Sequence, residues 1–148
     1  MKKVLCLFSV ILLSSCVSTK STLKNVDNTA PALELKNNMT FKVTQVSNDP
    51  KYGYDPDYPI NIYFRNTVNE TINQERYFNA LAGPNGETLT FEKTGICCPF
   101  PTKNIASGAG LIHVYEVSYK GLEKPLVLYV NMYEKGIIQA PKGLTIKP

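Results

Sequence analysis

Cys97 and Cys98 stand side by side in the run Cys97-Cys98-Pro99-Phe100-Pro101-Thr102-Lys103, and no other residues in the chain have as much chemistry open to them. Adjacent α carbons across a trans peptide lie ~3.8 Å apart, short of the ~4.4–6.8 Å usual for a disulfide. A bond between neighbours is therefore strained and comparatively easy to reduce. The alternatives are two thiols pointing apart into a core, a bond to a second chain, or a metal site completed by His113. Three ligands at these spacings are unlike a structural zinc site, and no Cys-x-x-Cys redox motif is present. The expectation is a structural role, buried or vicinally bonded, with no metal and no cofactor; redox or intermolecular thiol chemistry is the alternative.

The remaining candidates are weaker. His113 is the sole histidine, and it falls on the Leu111, Tyr115, Val117 side of a strand, where a packed imidazole is commoner than a general base. Lys103 is carried only by its place in the cysteine run. Ser107-Gly108-Ala109-Gly110 has the composition of an anion-binding nest, although a flexible turn is the plainer reading. Asp55 and Asp57, set among Tyr52, Tyr54 and Tyr58, could line a sugar or cation site, and paired carboxylates also serve glycosidases. Acids two residues apart in a turn are usually solvated turn formers. No Gly-x-Ser-x-Gly elbow, His-Glu-x-x-His or phosphate-binding glycine loop occurs, so no catalytic residue is assigned.

The chain begins with Lys2 and Lys3, an apolar run over residues 4–13, and then Leu13-Ser14-Ser15-Cys16. This is the layout of a secretory signal. Ten helical residues rise only ~15 Å, half of a ~30 Å hydrocarbon core, so a transmembrane helix is the poorer reading. The end of the run resembles the bacterial lipoprotein signal, in which Leu13, Ser14 and Ser15 would form the lipobox and Cys16 would be lipidated after cleavage before it. That resemblance implies anchoring by several acyl chains, which holds a protein far more firmly than one. Val17 is not the Asp that retains some lipoproteins in the inner membrane, and no acidic pair follows Cys16. The expected address is the periplasmic face of the outer membrane.

Secretion also sets the redox state, since an oxidising compartment favours disulfides. Loss of residues 1–15 leaves 133 residues, enough for one domain. It also removes two lysines, taking the excess of basic over acidic residues from four to about two. The remaining basic residues are scattered singly, which excludes the electrostatic stripe needed for nucleic acid.

Residues 16–38 have weak periodicity and read as a lipidated cysteine followed by a flexible tether, with Pro31, Leu33 and Leu35 as candidates to dock its far end on a single globular domain over 39–148. Within it, Phe41 and Val43 alternate with polar neighbours, as do Ile60, Ile62 and Phe64, predicting two half-buried strands. Thr71-Ile72-Asn73-Gln74 has the form of a capping box, predicting a helix of about ten residues that ends at Gly83, with Tyr77, Phe78, Leu81 and Ala82 on one face. Residues 87–94 predict a strand and 95–110 a long aperiodic loop. The clearest strands cover 111–120 and 124–134, joined as a hairpin at Gly121, with Leu126, Leu128, Val130 and Met132 opposite Tyr129, Asn131 and Tyr133. Residues 137–148 predict a short edge strand limited by Pro141. The fold class is α+β: a mostly antiparallel sheet of five or six strands, one face drier than the other, with one helix packed on it.

Several runs resemble a family of small bacterial lipoproteins: Asn79-Ala80-Leu81-Ala82-Gly83-Pro84-Asn85-Gly86-Glu87, the cysteine run through Lys103, Val114-Tyr115-Glu116-Val117, and Tyr133-Glu134-Lys135-Gly136. The resemblance spans the domain and implies a lipid-anchored envelope protein, but it carries no functional residue over to this chain. Some members bear the name 2-dehydro-3-deoxyphosphooctonate aldolase. That aldolase class is a TIM barrel of ~250 residues, which this length and single predicted helix do not support. Two readings remain: a lipid-anchored binding or envelope-structural protein with an envelope protein partner, and a periplasmic enzyme or thiol-redox accessory using Cys97 and Cys98.

Overall fold

The hairpin predicted at Gly121 forms the middle of the main sheet. In a computed structural model, which describes residues 20–63 and 71–148, the elements run β1 (Leu35–Asn37), β2 (Thr40–Phe41), β3 (Ile60–Asn61), α1 (Ile72–Asn79), β4 (Leu81–Ala82), β5 (Leu89–Pro101), β6 (Ala109–Tyr119), β7 (Leu126–Asn131) and β8 (Thr145–Ile146). The α+β class holds. The single sheet of five or six strands does not: there is one four-stranded sheet, β3-β7-β6-β5, and two separate ladders, β1-β2 and β4-β8. The reason is length. Ladders of two or three residues close on their neighbours before they can extend the main sheet. β3 also joins β7 in parallel, while the other pairings of the main sheet are antiparallel.

One face of the main sheet carries the core. Ile60, Ile62, Tyr115, Val117, Leu128 and Val130 lie under Tyr77, Phe78 and Leu81 from the helix and the strand after it. Phe78 is the centre of that seam. Its ring stacks on Phe91 at 4.7 Å, meets Tyr115 at 5.0 Å and meets Tyr77 edge-on at 5.4 Å. The helix is shorter than predicted, because Leu81 leaves it to pair with Ile146. The capping box does not form either. Thr71 makes no side-chain capping bond, and Gln74 turns inward, where it is fully buried and donates to Met132 Sδ. Phe64 lies outside the described residues. Among the described residues no helix is long and apolar enough to cross a membrane.

Successive residues of a strand point to opposite faces, so Ile112 and Tyr129 face away from that core. They build a second cluster with Leu23, Phe100, Val26, Cys97 and Tyr133. Leu23 comes from the stretch predicted to be a tether. From residue 24 onward that stretch is docked: Lys24 N donates to Asp57 O at 2.8 Å, Asp27 N donates to Lys135 O at 2.9 Å, and Asn25 Nδ2 donates to Pro59 O at 2.7 Å. A buried ladder of asparagines secures it. Asn131 Nδ2 donates to Asn61 Oδ1 at 2.8 Å, and Asn61 Nδ2 donates on to Asn25 O at 3.0 Å and Asn25 Oδ1 at 3.1 Å. Gly136 makes room for this contact, since a Cβ there would sit 2.9 Å from Asn61. Each bond is worth ~1 kcal/mol net, but an orphaned buried amide costs ~1–3 kcal/mol, so the ladder acts as a lock.

Candidate functional site

The predicted loop over 95–110 is instead the second half of β5, a seven-residue turn and the start of β6. Two irregularities in register, at Lys93/Gly95 and Cys97/Phe100, disguise the strand by breaking its alternation. Cys97 and Cys98 sit at the second and are bonded to each other, with α carbons 3.7 Å apart. Cys98 adopts φ +54°, a left-handed conformation uncommon for a residue with a side chain. Cys97 packs into the second cluster while Cys98 is exposed. Both cysteines are therefore expected to resist iodoacetamide in the native protein and to take up two carbamidomethyl groups after reduction. Mass spectrometry of the two samples checks this, and labelling before reduction contradicts the bond.

His113 does not join them. Cys97 is the register partner of Ile112, so the neighbouring His113 points to the opposite face, beside Tyr115 and Val117. The Cys97, Cys98, His113 trio is thereby split across the sheet. His113 is 8% exposed. Its Nε2 lies 3.4 Å from Lys93 Nζ, and its Nδ1 has no partner. An ammonium can only donate, so Nε2 is the bare nitrogen and Nδ1 carries the hydrogen. Burial first, and the Lys93 charge second, press the imidazole pKa down to about 4. The unfolded chain, with a histidine near 6.5, then takes up its proton first. His113 should stabilise the fold fully above about pH 6.5, and that contribution is lost as pH falls toward 4. A ring-proton NMR titration should give a midpoint near 4, and His113→Gln should flatten this part of the stability profile. A midpoint near 6.5 contradicts the buried placement.

The other sequence candidates go to turn structure. Asp55 Oδ1 accepts the Asp57 N–H at 2.9 Å, closing an Asx-type turn. The neighbouring tyrosines diverge: Tyr52 OH bonds the 137–139 backbone, Tyr54 OH donates to Lys142 O at 2.8 Å, and the Tyr58 ring lies under Lys51 Nζ at 5.1 Å. Lys103 is exposed in the turn before β6. The supposed nest is spent internally, with Gly108 N donating to Ile105 O and Ser107 Oγ donating to Ala109 O.

A cleft that the sequence did not announce lies on the helix side of the docked segment. It measures about 360 Å³, within the ~300–1,000 Å³ range of small-molecule sites. Pro31, Ala32, Leu33 and Leu35 form one wall and Phe41 of β2 another, while Tyr63, Asn73 and Arg76 line it opposite Lys135 and Gly136. Arg76 is positioned by two bonds, Nε to Asn38 O at 3.0 Å and Nη1 to Asn73 Oδ1 at 3.1 Å. Lys135 Nζ lies 5.3 Å over the Tyr63 ring, a cation–π contact. No acidic side chain among the described residues lines the cleft. Among the described residues the ion pair formed is Lys42 with Glu34, both exposed, and no carboxylate comes within ion-pair reach of Arg76 or Lys135. Two cations of distant sequence origin thus share the cleft with no counter-charge among the described residues. No family model, curated protein or solved structure matches the chain.

Proposed function

We propose that this is a lipid-anchored protein of the bacterial cell envelope, held through Cys16 in the outer membrane on its periplasmic side, whose single domain works as a binding module. The Leu13-Ser14-Ser15-Cys16 sequence and the resemblance to small lipoproteins support the anchor. Both the lipobox and Cys16 lie outside the described residues. One observation carries the binding reading: the cleft beneath residues 31–35 gathers Arg76, Lys135 and Asn73 against Phe41, Leu33 and Tyr63. These groups hold and orient a ligand, and they include neither an activated nucleophile nor an acid–base pair. Metabolic palmitate labelling of wild type against Cys16→Ala tests the anchor.

A second reading, a thiol-redox accessory, is favoured by the exposed Cys98 of the vicinal disulfide. Its test is trapping in intact cells with wild type and a Cys97→Ser, Cys98→Ser double variant. A mixed-disulfide partner lost in a folded variant supports it, while a partner retained by the variant supports binding.

A further inference from the structure

We propose that the cleft between residues 31–35, α1 and residues 135–136 takes a small organic carboxylate with a flat apolar body. This deepens the binding-module reading and rests on it. The charge argument sets the ligand's sign. Arg76 and Lys135 line the same cleft with no carboxylate opposite them among the described residues, so a cationic ligand meets only repulsion and an anionic one meets two unneutralised charges.

The head group follows from the donors. A guanidinium has five N–H groups, and Asn38 O and Asn73 Oδ1 occupy two of those of Arg76. Three remain, on a side chain already fixed in orientation, which suits the planar, paired acceptors of a carboxylate. Lys135 adds a point charge held over Tyr63. A phosphate site of the usual kind draws on converging backbone N–H groups or a helix N-terminus. Here the donors come from side chains instead.

The body follows from the walls. Leu33, Leu35, Phe41 and Tyr63 supply apolar and aromatic surface beside the cations, and Leu35 is 46% exposed. A ring attached to the carboxylate would cover this surface, whereas a bare inorganic anion would leave it wet.

The test uses the full chain purified in nonionic detergent, with micelles alone as the blank, and 3-phenylpropionate as probe. Saturation-transfer NMR and calorimetric titration should detect binding of the acid, with 3-phenylpropionamide at least about tenfold weaker, as expected for loss of a charge-assisted pair. Arg76→Gln and Lys135→Gln should each weaken the acid about tenfold while leaving the thermal midpoint in place. Should Arg76→Gln unfold because its Asn38 and Asn73 bonds are lost, Lys135→Gln and the weakening of binding in high salt carry the same test. Equal binding of acid and amide, or wild-type affinity in both folded variants, overturns the carboxylate assignment and leaves the binding module standing. No transfer to the acid, the amide or phenethylamine overturns both.

Discussion

Phe78→Ala should lower the unfolding free energy by about 3–5 kcal/mol, the range for emptying a buried aromatic site. The site is a demanding one. Phe78 is fully buried, its ring touches three others from α1, β5 and β6, and it is the residue through which the helix grips the sheet. Neighbouring rings cannot collapse into the space without losing one another, so much of the cavity term should persist. For a domain of this size the loss corresponds to a fall in thermal midpoint on the order of 10–20 °C. Phe78→Leu, which keeps most of the volume, should cost clearly less. Thermal unfolding followed by circular dichroism checks both, and a midpoint within a few degrees of wild type for the alanine variant would show that the helix is not held by this seam.

Cys16→Ala should abolish palmitate incorporation and move the protein from the membrane to the soluble fraction. The effect is expected to be near all-or-none. At ~0.8 kcal/mol per buried methylene a single chain gives marginal binding, and a lipidated N-terminal cysteine with several chains gives essentially permanent attachment. The docked segment adds a geometric consequence. Leu23 is buried and Lys24 is bonded to the domain. The link from Cys16 to the first packed residue is thus about seven residues, with a reach of at most ~25 Å even when fully extended. A domain on the long tether predicted from composition would tumble freely, whereas the proposed anchor would hold this one close, with the second cluster and the vicinal disulfide on the face its link leaves from. Retained labelling of Cys16→Ala would remove the anchor from the account.

What the sequence disclosed follows from where alternation is enforced by burial. The Gly121 hairpin and the Leu128, Val130 face are legible because each strand has one side in the core; Phe41 and Val43 are buried as expected, but the strand predicted there shrinks to Thr40–Phe41. The second half of β5 is not legible, since the strand lies at the edge of the sheet and its register shifts twice, so its apolar residues lose their period where the cysteines begin. The docking of residues 23–29, ahead of Pro31, is hidden for a different reason. Asn25, Asn61 and Asn131 hold it by hydrogen bonds, and asparagines in a sequence read as turn formers whether they are exposed or buried. The cleft was invisible because Arg76 and Lys135 meet only through the fold. The spacing of Thr71 and Gln74 predicts a cap, and burial of Gln74 against Met132 overrides it.

The edge position of β5 has a bearing on solubility that its chemistry does not suggest. Thirteen residues with one side unpaired are a template onto which a stray strand of another chain could zip. The cysteine run frustrates this. Pro99 and Pro101 withhold two N–H donors, and the left-handed Cys98 beside the register shift bends the path a newcomer would have to follow. In these terms Cys97-Cys98-Pro99-Phe100-Pro101 works against edge-to-edge misassembly, and its value lies in what it keeps this protein from joining.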